Sequence, residues 1–131
     1  MRYWLFPLIT VILTGCAYLS ANSRMQQFDD LARGYAKAMA WSNFEMAYSA
    51  TQSAVKAPPA DATAFQNIKI TSYDLASQKA APDSMTVKRV VQIRYVHTSR
   101  MVEHSLTVEE EWTYSDADKR WVLQSGFPLF K

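Results

Sequence analysis

The spacing of the hydrophobic residues changes at Phe65, and this change limits the fold more than any other feature of the chain. Before Phe65, apolar side chains recur every three or four residues; after it, they alternate with polar ones, and β-branched and aromatic residues become frequent. The first spacing is typical of an amphipathic helix, and the second of a half-buried strand. The sequence therefore predicts helices followed by an antiparallel sheet, an α+β fold.

The first predicted helix is long and runs from about Arg24 to Ala40. Ser23, with Gln26 three residues later, forms the reciprocal capping arrangement that satisfies the free amides of a first helical turn. The apolar residues of this helix fall on one face, which we expect to pack against the sheet. They are Met25, Phe28, Leu31, Ala32, Tyr35, Ala38 and Met39.

A second, shorter helix is predicted to follow at once. Ser42 and Glu45 repeat the capping arrangement, and the helical spacing ends near Thr51. The segment from Ala54 to Thr63 contains two consecutive prolines. Because proline lacks an amide donor and clashes with the preceding turn, we expect a surface loop there.

About four strands are predicted beyond Phe65, joined by short turns into a curved sheet. The first begins at Ile68 and Ile70 and weakens through Tyr73 and Leu75. The others run from Met85 to Thr98, from Val102 to Tyr114 and from Lys119 to Ser125, with turns at residues 81–84, 99–101 and 115–118. The expected inward side chains are Ile68, Ile70, Met85, Val87, Val91, Ile93, Tyr95, Val102, Leu106, Val108, Trp112, Tyr114, Trp121 and Leu123.

The second and third of these strands are expected to form a hairpin. Odd-numbered residues face inward before its turn and even-numbered ones after it, so the connection must contain two or four residues. Ser99-Arg100 and Arg100-Met101 both satisfy this condition. With the first of these turns, Arg89 lies opposite Glu110, which predicts a partly buried ion pair inside the sheet.

The start of the chain has the layout of a secretory signal. A single cation, Arg2, precedes the apolar stretch from Tyr3 to Leu13. This stretch is too short to cross a bilayer, which takes about 20 helical residues. It ends in Leu13-Thr14-Gly15-Cys16, which resembles the lipobox of bacterial lipoproteins.

The resemblance to a lipobox implies a lipid anchor. In such proteins the cysteine thiol, here that of Cys16, receives a diacylglyceryl group, the preceding peptide is cut, and the new amino terminus can be acylated, for instance with palmitate. Ala17 follows where an aspartate would retain the protein at the inner membrane, so the resemblance implies an outer-membrane lipoprotein facing the periplasm. The alternatives are an ordinary signal peptide with an incidental cysteine, and an anchor that is never cut.

The predicted organisation is a signal peptide over residues 1–15, a lipidated tether over 16–22 and one α+β domain over 23–131. Cys16 is the only cysteine, so no disulfide can stabilise the domain. We expect its core to rest on three tryptophans, Trp41, Trp112 and Trp121. Basic and acidic residues nearly balance at 14 against 12 and form no basic cluster, so nucleic acid is not an expected partner.

Two stretches resemble the nuclear transport factor 2-like superfamily, in which a curved sheet wraps a long helix to form a cone. They are residues 35–48 and residues 111–128. The sequence after Thr51 is too short for the third helix of that superfamily, and a cystatin-like helix on a sheet is the close alternative. The superfamily contains isomerases, dehydratases, cyclases and many binding or assembly modules, so the resemblance implies a fold more than a function.

The inward-facing polar residues are the candidates for a site. Enzymes of that superfamily use an acid or histidine inside the cone, which makes Glu110, His104 and His97 weak catalytic candidates. The ligand-binding candidates are Arg89, Tyr95, Glu110 and Trp112. Two histidines at a hairpin tip fall two ligands short of a zinc site, so we expect neither a metal nor a cofactor.

Two functions are open at this point. The first is a non-catalytic module that binds another envelope protein or a small apolar ligand through its curved sheet or cone, and that could dimerise through the sheet. The second is a small lyase or isomerase with Glu110 or a histidine as general base. A cone filled by Tyr35, Tyr95, Trp112 and Trp121 would favour the first, and a hollow cone with Glu110 pointing into it the second.

Overall fold

Two helices and four strands make up residues 12–51 and 65–130, which are the residues that the computed structural model describes. The helices pack on a four-stranded antiparallel sheet in which each strand pairs with the next along the chain. The α+β class is therefore confirmed. The elements are α1 (Ile12–Ala40), α2 (Phe44–Thr51), β1 (Ile68–Ala80), β2 (Thr86–His97), β3 (Glu103–Ser115) and β4 (Arg120–Leu123).

Helix α1 begins at Ile12, well before its predicted start at Arg24. Ser23 therefore lies inside the helix, and the prediction that it caps the first turn is wrong. The reason is that residues 12–23 contain no proline to stop a helix, so the helix continues through the segment expected as a tether. Residues 1–11 of the expected signal peptide lie outside the described residues. Within residues 12–51 and 65–130, no helix combines the length and apolarity needed to cross a membrane.

The start of α2 is capped by Asn43 instead of Ser42. The Met46 amide donates to Asn43 Oδ1 at 3.2 Å, which is the usual N-cap geometry. Ser42 has a φ of 57°, and its hydroxyl accepts a hydrogen bond from the Ile70 amide at 2.8 Å. Ser42 therefore ties the junction between the helices to β1. Helix α2 extends to Thr51, the last described residue before residues 52–64, so its predicted end is not tested, and the expected loop from Ala54 to Thr63 lies outside the described residues.

The hairpin of β2 and β3 has the register that places Arg89 opposite Glu110, as predicted. Its turn is wider than two residues, because the amides of Arg100 and Met101 both donate to the His97 carbonyl, at 3.0 and 2.8 Å. Met101 adopts a φ of 53°. Val102 is 55% exposed, so its predicted inward position is wrong. The widened turn leaves it outside the strand, at the tip of the hairpin.

The edge strands depart from simple alternation. Strand β1 continues to Ala80, and its pairing with β2 shifts between Ile70 and Ser72 and again between Leu75 and Ser77. Each shift inserts one residue and reverses which side chains face inward. Strand β4 ends at Leu123, two residues before its predicted end. The chain nevertheless stays beside β3, where the Gln124 amide donates to the Glu111 carbonyl at 2.8 Å.

An aromatic core joins α1 to the sheet. Phe28 makes edge contacts with Trp112 and Trp121, at ring-centroid distances of 6.1 and 5.0 Å. Tyr35 packs edge-on against Trp112 at 5.3 Å and against Tyr73 at 6.0 Å. Such edge-to-face pairs each contribute about 0.5–1.5 kcal/mol beyond the burial of their area. The core therefore lies between one face of α1 and the inward side chains of all four strands.

Trp41 is not part of this core, contrary to the prediction. Its side chain is 78% exposed, whereas Trp112 and Trp121 are fully buried. Trp41 follows the last turn of α1, where the chain reverses direction through Ser42, so its side chain lies outside the helix–sheet interface.

A second aromatic cluster closes the end of the domain that carries α2 and the hairpin tip. Phe44 stacks on Phe65 at 5.1 Å, and Phe127 contacts Phe65 at 5.3 Å. Phe130 packs against Tyr95 at 4.9 Å, so the end of the described chain docks on the domain at this residue. Its neighbour Leu129 is 77% exposed and does not dock.

The two kinds of tryptophan give a matched test of this packing. Replacing Trp112 with alanine should lower the free energy of unfolding by about 3–5 kcal/mol, because a large buried side chain is removed. The same change at Trp41 should cost less than about 0.5 kcal/mol, because that side chain is exposed. Urea unfolding of the two variants measures both values. Similar losses in the two variants would contradict the core described above.

Candidate functional site

Glu110 is a carboxylate buried in the middle of the domain, and it is the centre of the candidate site. Only 2% of the residue is exposed, and both of its oxygens accept hydrogen bonds. The Tyr73 hydroxyl donates to Oε2 at 2.7 Å, and the Trp112 indole nitrogen donates to Oε1 at 3.1 Å. Strand β3 supplies Glu110 and Trp112 from the same face, and β1 supplies Tyr73 from across the sheet.

Arg89 accompanies Glu110 from the neighbouring strand. Its Nη1 lies 3.9 Å from Glu110 Oε1, which is an ion-pair distance but too long for a hydrogen bond. Arg89 is only 6% exposed, and its Nε and Nη1 have no hydrogen-bond partner within the described residues. The predicted buried ion pair therefore forms, but the guanidinium is satisfied much less completely than the carboxylate.

Two tyrosine hydroxyls lie within the field of this ion pair. Burial, and then the negative charge of Glu110, raise the pKa of Tyr73 and of Tyr35 well above the ordinary value. The hydrogen bond from Tyr73 to Glu110 raises the pKa of Tyr73 further, while Arg89 opposes the shift in both residues. Both tyrosines are therefore protonated at neutral pH, so Tyr73 can act as a lasting donor. The Tyr35 hydroxyl is buried and has no hydrogen-bond partner within the described residues.

The four predicted ligand-binding candidates do not form one group. Arg89, Glu110 and Trp112 meet in the network just described. Tyr95 lies apart from them in the second aromatic cluster, against Phe130 and, with a ring-centroid distance of 5.3 Å, against His104. The interior is occupied by side chains, since the rings of Tyr35, Tyr95, Trp112 and Trp121 are all at least 95% buried.

The two histidines face each other near the hairpin tip. Their ring centroids are 5.3 Å apart, with His97 half-buried and His104 exposed. Tyr95 makes ring contacts with both, and His104 precedes Glu110 by six residues along β3, so neither imidazole is near Glu110. Among residues 12–51 and 65–130, no three histidine, cysteine, aspartate or glutamate side chains come close enough together to hold a metal ion.

One surface hollow of about 340 Å³ touches the network from the side. Most of its lining comes from residues that alternate away from the helices: Lys88, Val90, Glu109 and Glu111. This hollow therefore lies on the outer face of the sheet. Arg89 and Glu110 also border it, although their own side chains point inward.

Sequence reasoning found the ion pair but missed its hydrogen-bond donors. Trp112 could have been recognised, because it lies two residues after Glu110 and therefore on the same face of β3. Tyr73 could not, because the register shift between Ile70 and Ser72 comes before it. That shift turns Tyr73 toward the helices, where its hydroxyl reaches the carboxylate.

Comparison with known proteins adds no relative: no family model, no curated protein and no solved structure matches this chain. The resemblance to the nuclear transport factor 2-like superfamily therefore stays a prediction.

The two buried tyrosines provide a second matched test. Tyr73→Phe removes a hydrogen bond to a charged group and should lower the free energy of unfolding by about 1.5–3 kcal/mol. Tyr35→Phe removes a buried hydroxyl that has no partner within the described residues, so it should be neutral or slightly stabilising. Chemical denaturation at neutral pH compares the two variants. A larger loss in Tyr35→Phe than in Tyr73→Phe would overturn the assignment of the donor to Glu110.

Proposed function

We propose that this chain is a lipid-anchored lipoprotein of the bacterial cell envelope, and that its domain is a non-catalytic binding or assembly module. The observation that carries the anchoring is the string Leu13-Thr14-Gly15-Cys16 at the end of a short apolar stretch. Its cysteine is the only one in the chain and is exposed. With Ala17 as the next residue, we place the protein at the outer membrane with its domain in the periplasm.

The state of Glu110 supports a non-catalytic domain. A general base needs a carboxylate oxygen that can reach a substrate proton, and here Tyr73 and Trp112 already donate to both oxygens. The nearby rings of Tyr35 and Trp112 fill the space on the helix side of the carboxylate. We therefore prefer a structural role for Glu110 over the alternative of a lyase or isomerase with Glu110, His97 or His104 as base.

The distribution of exposed apolar side chains supports a binding role. Residues 24–27 of α1 lie beside two turns of the sheet. Arg24 donates a hydrogen bond to the Asp83 carbonyl, and Gln27 donates one to the Lys119 carbonyl. The opposite end of the domain carries the hairpin tip and the end of α1. Among the described residues, most of the large exposed apolar side chains lie at that opposite end: Trp41, Met46, Met101, Val102 and Leu129.

This arrangement indicates what the module contacts. Apolar groups exposed together on a protein surface are typical of contact sites for other proteins. Because Cys16 lies at one end and these residues at the other, the proposed contact surface points away from the membrane. We propose another envelope protein as its partner, ahead of a small apolar ligand or a second copy of this chain.

Replacing Cys16 with serine tests the anchor. The wild type should float with membranes after a high-salt wash, because two or more acyl chains attach a protein stably. Cys16→Ser should accumulate as an uncut precursor or a soluble form, and mass spectrometry of its first peptide should show no acyl chains. Ser20→Ala, one helical turn later, is the control and should behave like the wild type. A wild-type first peptide without acyl chains would refute the lipoprotein assignment.

Cross-linking in intact cells tests the binding role. The acylated protein should give a discrete adduct that is lost when Trp41 and Val102 are both changed to serine. Both side chains are more than half exposed, so this variant should fold normally, which its circular dichroism checks. Leu75→Ser, an exposed apolar residue on β1, is the matched control and should keep the adduct. Equal adduct yields in the wild type and the double variant would exclude this surface.

A further inference from the structure

A surface hollow of about 390 Å³ lies between the early part of α1 and the turn that joins β3 to β4. Ser20, Ser23 and Arg24 line it from the helix, and Asp116 and Lys119 line it from the turn. Its volume is within the range of small-ligand sites, which begins at about 300 Å³. None of these five residues belongs to the network around Glu110.

Both walls of the hollow are held in place by hydrogen bonds. The Arg24 guanidinium donates from Nη2 to the Asp83 carbonyl at 3.2 Å and from Nε to the Ser84 carbonyl at 3.5 Å. It also lies 5.8 Å from the centre of the Tyr114 ring. On the other wall, Gln27 donates to the Lys119 carbonyl at 3.1 Å. The two cations are therefore attached to a fixed helix and a fixed turn.

The chemistry of the lining suits an oxyanion. Two cations and one carboxylate, that of Asp116, give the hollow a formal charge of plus one, and two serine hydroxyls add neutral hydrogen-bonding groups. Guanidinium and ammonium groups form charge-assisted hydrogen bonds with phosphate oxygens. A phosphodiester carries a single negative charge, so it matches both the sign and the size of the charge in the hollow.

The position of the hollow along α1 indicates where that phosphodiester comes from. At about 1.5 Å per residue, Ser20 lies about 6 Å and Arg24 about 12 Å along the helix from Cys16. The headgroup layer of one leaflet is about 5–7 Å thick. A helix that stands on Cys16 thus brings Ser20, on the near side of the hollow, to the level of the lipid phosphates, with the Arg24 backbone about 6 Å farther from the bilayer and its long side chain able to reach back toward the headgroups. Leu19, which is 65% exposed, lines the hollow next to Ser20, on the side nearer Cys16.

We propose that this hollow binds the phosphodiester of a membrane phospholipid headgroup, with Lys119 and Arg24 as the cationic contacts. The inference rests on the acylation of Cys16 proposed above, because the acyl chains bring the hollow to the bilayer surface. The headgroup contact adds a second attachment point and so fixes the orientation of the domain on the membrane.

The test uses the acylated protein with Ala117→Cys, which places a thiol in the turn beside the hollow. The Cys16 sulfur carries the diacylglyceryl group in this form, so a nitroxide label reacts at position 117 alone. The collision rate of the label with an aqueous nickel chelate is then measured. It should be several-fold lower in vesicles of phosphatidylethanolamine and phosphatidylglycerol than in vesicles of an uncharged galactolipid.

Variants of the labelled protein identify the contact. Lys119→Asn should abolish the difference between the two vesicle types; asparagine tolerates the φ of 54° at this position and removes the charge. Lys119→Arg should restore the difference. Lys37→Gln, near the far end of α1, is the control and should keep it. Equal nickel collision rates in the two vesicle types, or an unchanged difference in Lys119→Asn, would overturn the proposal.

Three outcomes separate the possible failures. If millimolar inorganic phosphate exposes the label in phospholipid vesicles, the hollow prefers a free anion and the assignment to a lipid headgroup is wrong. If the protein does not float with either vesicle type, the acylation itself fails. If it floats with both and the label is equally exposed in both, the anchor stands and only the headgroup contact is wrong.

Discussion

The indole of Trp112 is the side chain on which the rest of the domain depends. Phe28 and Tyr35 of α1 pack edge-on against its ring, at ring-centroid distances of 6.1 and 5.3 Å. Its indole nitrogen donates a hydrogen bond to Glu110 at 3.1 Å. One side chain thus joins the helix layer to the sheet and also satisfies a buried carboxylate. Because a single cysteine allows no disulfide within the chain, this packing carries the stability that a cross-link supplies in small disulfide-bonded domains.

The network around Glu110 satisfies its two charged groups unequally. The carboxylate has two good donors, whereas two nitrogens of Arg89 have no hydrogen-bond partner in the described part of the chain. A buried ion pair of this kind adds little net stability, since the desolvation of both charges offsets their attraction. It does discriminate between registers, because a slip of one residue between β2 and β3 would bury one charge without the other. We therefore regard the pair as a device that selects the correct hairpin register.

The sequence predicts much of this fold, because alternation determines which residues of β2 and β3 face inward. The register that places Arg89 opposite Glu110 follows from the same parity argument. Where the prediction is wrong, the cause is a local backbone feature with no periodic signature. The two register shifts in β1 and the positive φ of Ser42 are such features, and they decide the positions of Tyr73 and Trp41. The sequence does not predict the early start of α1, because a capping sequence at Ser23 favours a helix start there but does not prevent helical structure in the residues that precede it.

The continuity of α1 has a mechanical consequence. A coil of seven residues between lipid and domain would let the domain tumble and approach the bilayer at any angle. A helix has a fixed rise of about 1.5 Å per residue, so the 25 helical residues from Cys16 to Ala40 form a rod of about 38 Å. One face of the rod packs on the core from Phe28 to Met39, so the domain is attached along the helix and not only at its end. With Cys16 acylated as proposed, a helix of this length would set a fixed distance between the membrane and the end of the domain that carries Trp41, so only partners whose contact surfaces lie at that height would reach it.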